Sequence, residues 1–235
     1  YLICMAVTNY TVFNNSVQLG NITLPMQTYC YPENLVSFQA GTQNALDAMQ
    51  LFHHYFGEYP FINEKYGHAE FGRNAGMENQ TISSMGVFND NIMAHELTHQ
   101  WFGDKITCMD WQNIWLNEGF ATYGEAIYNE SAFGQAAYKN FINFKMSDAK
   151  NAHGSIYVQD VNDINQIFSG NRSYAKGCVV LHMLRGVVGD SVFFDILKSY
   201  ATNPELTYKN AVTEDFKLVA ESIYGSSLNY FFDEW

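Results

Sequence analysis

Hydrophobic and polar positions alternate along roughly the first 31 residues, interrupted by turn signals at Asn14-Asn15 and Gly20-Asn21. A period of two predicts a few β-strands. From Asn34, read as an N-cap, apolar residues recur at Phe38, Ala45, Met49, Phe52 and Phe56. That spacing predicts a long helix ending near Gly57, with Pro60 beyond it. The stretch GHAEFGRNAGMENQTISSMG is punctuated by glycine and predicts a strand or two beside a cleft. A helix then begins around Asn89 to Asn91. Further on the pattern turns helical, over WQNIWLNEGFATYGEAIYNE and over residues 133–150, 174–188, 190–202 and 213–224. Residues 155–171 are polar and irregular. Strands first and helices afterwards predict an α+β domain over 1–235, with a sheet-bearing lobe about 1–88 and a helical lobe about 89–235.

Composition narrows the picture. Hydrophobic residues make up 47% of the chain and charged ones 15%, which marks a globular protein with a full core. A formal charge of −12 argues against nucleic acid and anionic membrane surfaces and suits a cationic substrate. No apolar run approaches the roughly 18 residues of a membrane span. The opening YLICMAVTNYTVF and the closing LNYFFDEW both read as cuts inside a longer polypeptide. Cys4, Cys30, Cys108 and Cys178 are too scattered for a cysteine metal site. Cys4 and Cys30, on neighbouring predicted strands, form the most plausible disulfide pair, while Cys108 and Cys178 suit small buried hydrophobes.

The chemistry concentrates in AHELTHQWFGD, residues 94–104. His95 and His99 are four apart, so on a helix they share a face and can address one atom. Glu96 projects about 100° around the same helix and can reach something bound to that atom. Bare HExxH also occurs by chance on structural helices. Here Glu118 follows His99 after eighteen residues in WLNEGFATY. It supplies the third ligand of a catalytic zinc, whose fourth position stays open.

Four segments in order resemble the M1 family of zinc aminopeptidases, gluzincins with a thermolysin-like catalytic domain: AGMEN at 75–79, HELTHQWFGD at 95–104, WLNEGFATY at 115–123 and SYAKG at 173–177. The resemblance implies a single Zn²⁺ bound by His95, His99 and Glu118, with Glu96 as general base. It also implies Tyr174 as stabiliser of the transition state and Glu78 as partner of the substrate α-amine. Gly76 would permit close backbone approach, and Met77 and Asn79 would shape the wall beside the scissile bond. Substrates would then be peptides with a free N-terminus, and flanking domains would complete the cavity. HQWFGD and IWLNEGFATY look like the bacterial secreted branch, which implies an exported parent protein, although a cytoplasmic one fits the same motifs.

Elementary chemistry supports these roles. A glutamate beside an activated water can take its proton and return it to the leaving amine. A phenol can donate to a tetrahedral oxyanion. Without its context Tyr174 would be one of sixteen tyrosines. Glu125, seven residues after Glu118, is a candidate to hold the second nitrogen of a ligating histidine, and an ordinary exposed helix glutamate is the competing reading. His53 and His54 read as packing or surface residues, and Trp101, Phe102, Trp111 and Trp115 as core around the site. The family usually has glycine where this chain has Ala75, which disfavours positive φ, and the link from Glu78 to His95 is short for the family. The rival readings are a thermolysin-like endopeptidase, which has no use for Glu78, an epoxide hydrolase within the same family, and a zinc-binding domain without activity of its own.

Overall fold

The computed structural model describes residues 5–235. Strands β1 (Thr11–Leu19) and β2 (Ile22–Cys30) form an antiparallel hairpin. Its two-residue turn, Gly20-Asn21, places Gly20 at φ 59°, a left-handed conformation that glycine adopts without steric cost. The other predicted turn does not form. Asn14 and Asn15 stay in β1, paired with Gln27 and Met26, because the hairpin register runs unbroken through them. The Cys4–Cys30 pairing lies outside the described residues; Cys30, Cys108 and Cys178 are free and buried.

Helix α1 (Leu35–Phe56) buries Phe38, Thr42, Ala45, Ala48, Met49, Phe52 and Phe56, one stripe at helical spacing. Asn34 stands at its N-cap position without capping; its side-chain amide donates to Glu70 instead. Strands β3 (Tyr66–Glu70), β4 (Gly76–Met77) and β5 (Ser83–Met85) follow. Among the described residues five strands make one sheet in the order β1-β2-β3-β5-β4, so β4 is an edge. The β2–β3 and β3–β5 pairs are parallel and the β4–β5 pair is antiparallel.

Helix α2 (Asp90–Thr98) starts on Asn89, whose side chain accepts from the Asn91 and Ile92 amides. After β6 (Ile106–Cys108) comes α3 (Trp115–Phe133), buried on every side from Trp115 to Tyr128. It is a central helix, and its polar stripe Glu118, Thr122, Glu125 and Asn129 is buried, or nearly so, along with its apolar side chains. Helices α4 (Gln135–Ala149), α5 (Ile164–Ile167), α6 (Gly177–Val188) and α7 (Asp190–Ala201), strand β7 (Lys209–Ala211), and helices α8 (Thr213–Tyr224) and α9 (Asn229–Phe232) complete the chain.

Three features depart from the sequence reading. A parallel β6–β7 pair sits inside the helical half. The segment 155–171 contains a helical turn, α5, and the start of a π-helical turn, Gly170–Lys176, that leads into α6. Trp111 is 48% exposed, stacked edge-on against Phe168 at 5.7 Å, whereas Trp101, Phe102 and Trp115 are core. Ala75 is not among the positive-φ residues, so alanine costs that loop nothing. One apolar core runs from Val17 through Trp101 to Phe231, joining the sheet to the helices.

Candidate active site

His95 lies in the last turn of α2, and His99 is its C-cap residue. Each histidine has one nitrogen fixed from outside. His95 Nδ1 lies 2.9 Å from Glu125 Oε1, and His99 Nδ1 lies 3.0 Å from the Phe102 carbonyl oxygen. Those oxygens can only accept, so both Nδ1 atoms carry protons and donate. Both Nε2 lone pairs then point inward, 3.3 Å and 3.4 Å from the same Glu118 Oε2.

Two lone pairs and an anionic oxygen converging at that spacing repel one another unless a cation lies among them. The three ligand atoms lie within 4.8 Å of one another. Two imidazoles and a carboxylate are the donor set of a catalytic zinc with an open fourth position, and the site fits that ion. Without a metal, protons must fill its place. Burial opposes a charged His99, yet Glu78 and Glu118 hold its pKa up at about 9. Burial likewise opposes ionisation of Glu118, yet His99 and His95 bring it down to about 2.

Helix α3 delivers Glu118 from its first turn, where the positive end of the helix favours a carboxylate. The preceding Asn117 ties α3 to β6 by accepting from the Cys108 amide at 3.0 Å. Nearly two turns further along α3, Gly124 packs on α2. A Cβ there would stand 2.0 Å from Thr98 Oγ1, so the helices approach to glycine width between the two histidines and the two glutamates.

Glu96 is buried, and its Oε2 has no hydrogen-bond partner in the protein. Burial pushes its pKa to about 7, against the pull of His95 and His99. A proton acceptor with that pKa is poised for neutral pH. Gly76 on β4 lies directly against it, since a Cβ there would meet Glu96 Oε1 at 2.0 Å. Gly76, which the sequence reading gives as permitting close backbone approach, leaves room for the Glu96 carboxylate.

Glu78 is 7% exposed and has a carboxylate oxygen within 4.8 Å of both Glu96 and His99 ligand atoms. Asn79 is buried and accepts from Ser84 through its side chain, while Met77 is 37% exposed on the edge strand. Tyr174 rises from the π-helical turn and stacks on His95, with ring centres 5.8 Å apart and planes 12° apart. Burial raises its pKa, and so do Glu118, Glu78 and Glu96. His95, Glu96, His99, Glu118, Glu78, Glu125 and Tyr174 therefore gather around one point, with Gly76 against Glu96 and with Met77 and Asn79 next to Glu78 in sequence.

Gln100 was not selected. It is fully buried beside His99 and uses both ends of its amide. Oε1 accepts from the Thr81 amide at 2.9 Å and the Tyr59 hydroxyl at 3.3 Å. Nε2 donates to Asp104 at 2.8 Å and to the Asn79 carbonyl at 3.4 Å. Thr81 has φ 64°, an uncommon conformation for threonine that this clamp holds in place. Its only signal in the sequence is its place inside HELTHQWFGD.

The chain is similar to proteins of known kind. Aminopeptidase M1 of Arabidopsis thaliana is 33% identical over 61% of this chain and 17% of its own length. A probable aminopeptidase 1 of Sulfurisphaera tokodaii is 30% identical over 73% of this chain and 23% of its own. The chain thus spans about a fifth of the length of these relatives. Among solved structures, an M1 zinc metallopeptidase from Deinococcus radiodurans superposes with TM-score 0.74 at 25% identity, over 91% of this chain and 49% of that one. The Legionella pneumophila aminopeptidase A shares the fold at TM-score 0.84 and 17% identity, over 96% of this chain and 28% of that one. The description "Peptidase family M1 domain" matches residues 77–235. With its fold and two-thirds of its length matched in this way, the chain belongs to peptidase family M1.

Proposed function

We propose that this chain is the catalytic domain of a zinc-dependent aminopeptidase that removes N-terminal residues from peptides. The observation that carries this reading is the place of Glu78, whose carboxylate lies within 4.8 Å of the Glu96 carboxylate and a His99 nitrogen. His95, His99 and Glu118 would hold one zinc, with Glu125 fixing the ring of His95. When bound, the zinc supplies Lewis acidity, polarising a carbonyl and lowering the pKa of a water from 15.7 towards about 7.

The chain's own groups do the rest. Glu96, through its unpartnered Oε2, takes a proton from the attacking water and passes it to the departing amine. The Tyr174 hydroxyl donates to the oxyanion as charge develops there. Glu78 accepts charge-assisted hydrogen bonds from the substrate ammonium. A free α-amine is largely protonated at neutral pH, its pKa being about 7.7–8.0. An internal peptide bond brings no such cation. Flanking domains are inferred to complete the cavity, since the relatives are several times longer than this chain.

The test compares aminoacyl anilides with their N-acetylated equivalents, with and without a chelator. Cleavage of the free amines alone, abolished by chelation and restored by zinc, is the expected result. Equal cleavage of blocked and free substrates would replace this reading with an endopeptidase.

A further inference from the structure

Gly119 follows the ligand Glu118 on α3, and Gly177 follows Tyr174 by three residues at the start of α6. The two glycines touch. A Cβ on Gly119 would stand 2.9 Å from the Gly177 Cα and 3.0 Å from its carbonyl carbon. A Cβ on Gly177 would stand 2.9 Å from the Gly119 Cα. The obstructing atoms are backbone, so neither side can yield by turning a rotamer; the helices must separate.

Glycine inside a helix is otherwise unfavourable. Gly186, further along the same helix, meets nothing within 4 Å, so helix packing in general does not demand glycine there. The π-helical turn Gly170–Lys176 runs directly into Gly177 and carries Tyr174 inward. π-turns concentrate at functional sites. Two further bonds hold the turn. Ser173 donates to the Ile167 carbonyl at 2.6 Å, and Arg172 reaches the His153 carbonyl at 3.2 Å. Where the turn passes into α6, the glycine contact sets its distance from α3.

Resting on the aminopeptidase reading, we propose that the Gly119–Gly177 contact is a positioning device that holds Tyr174 in the site, where its ring stacks on His95 at 5.8 Å. The metal ligands themselves are spaced by the separate Gly124–Thr98 approach. Widening the Gly119–Gly177 contact therefore withdraws the phenol and leaves the metal in place.

The experiment uses the full-length protein with Gly177→Ala, Tyr174→Phe, the double variant, and Gly186→Ala as a control for alanine in α6. Gly177→Ala is expected to lower kcat at least about tenfold, towards the roughly 10²–10³ lost with one oxyanion donor. KM and zinc affinity, read by competition with a chromogenic chelator, stay within about threefold. The double variant is no slower than Tyr174→Phe, and Gly186→Ala matches wild type. A crystal structure of Gly177→Ala shows the Tyr174 phenol displaced from its stack on His95, with His95, His99 and Glu118 unmoved. The proposal is overturned by unchanged kcat, by losses that multiply in the double variant, by loss of zinc along with activity, or by an undisplaced phenol. A wild type inactive on free-amine substrates would refute the aminopeptidase reading, and the crystallographic comparison would still decide the positioning role.

Discussion

Gly76 shows how one missing methyl group shapes a site. The edge strand β4 lies so close to Glu96 that any side chain at 76 would occupy the carboxylate's place. Gly76→Ala is therefore expected to displace Glu96 and lower kcat by about 10²-fold or more, the scale of general-base catalysis. Zinc content should hold, since residue 76 touches no ligand; a variant with normal kcat would show that Glu96 can work elsewhere. Glu78 makes a complementary prediction. Glu78→Ala should cut kcat/KM for free-amine substrates about 10²-fold, by loss of a buried charge-assisted pair of about 3 kcal/mol. Preference over the acetylated substrate should vanish in the same variant. Full retention of that preference would assign the amine to another group. At this scale the sequence was informative, because His95, Glu96, His99 and Glu118 carry their chemistry in residue type and spacing, whereas Glu78 stood out only through the family resemblance of AGMEN. Gln100 was not legible: an amide has no spacing rule, and its four partners come from segments that only folding unites.

Elements were legible as elements and much less so as neighbours. Periodicity marks the face a helix buries, and the sequence placed both ends of α1 and the start of α2 within a residue or two. It marked α3 as a helix but not that α3 is buried on all sides, and it says nothing about which turns of two helices meet. The short strands β6 and β7 escaped for a related reason. Three residues carry too little alternation to register, and they pair across about a hundred residues of sequence. The α2–α3 crossing offers a test of this scale. Gly124 lies between Glu118 and Glu125, and Thr98 lies between His95 and His99, so this contact spaces the proposed ligands. Gly124→Ala should weaken zinc binding at least about tenfold, or about 1.4 kcal/mol, with kcat falling in proportion to the metal lost. The double variant Gly124→Ala, Thr98→Ala removes the obstructing hydroxyl and should recover part of that affinity. If Gly124→Ala bound zinc normally, the spacing would have to be set elsewhere.

The sheet and the helices share one core, and its least comfortable member is His68. This residue is fully buried on β3, edge-on to Tyr66 and Phe88, and neither ring nitrogen has a partner. Burial alone lowers its pKa to about 3, against about 6.5 in an unfolded chain. Between those values the unfolded chain binds a proton that the folded one refuses. The contribution of His68 is thus intact above pH 6.5 and is lost progressively as the pH falls towards 3, by at most about 1.4 kcal/mol per unit. Other buried groups titrate over the same range, Glu96 and Asp104 with raised values of about 7 and 8. The informative quantity is therefore the difference in unfolding free energy between wild type and His68→Phe, in which those groups cancel. Phenylalanine keeps a ring against Tyr66 and Phe88 and removes both unpartnered nitrogens, so the variant should be at least as stable at pH 7.5. Its advantage should then widen steadily from pH 6.5 to pH 4. A difference that stayed flat across that range would mean that His68 is protonated in the folded protein as readily as in water, and so that solvent reaches the core at β3.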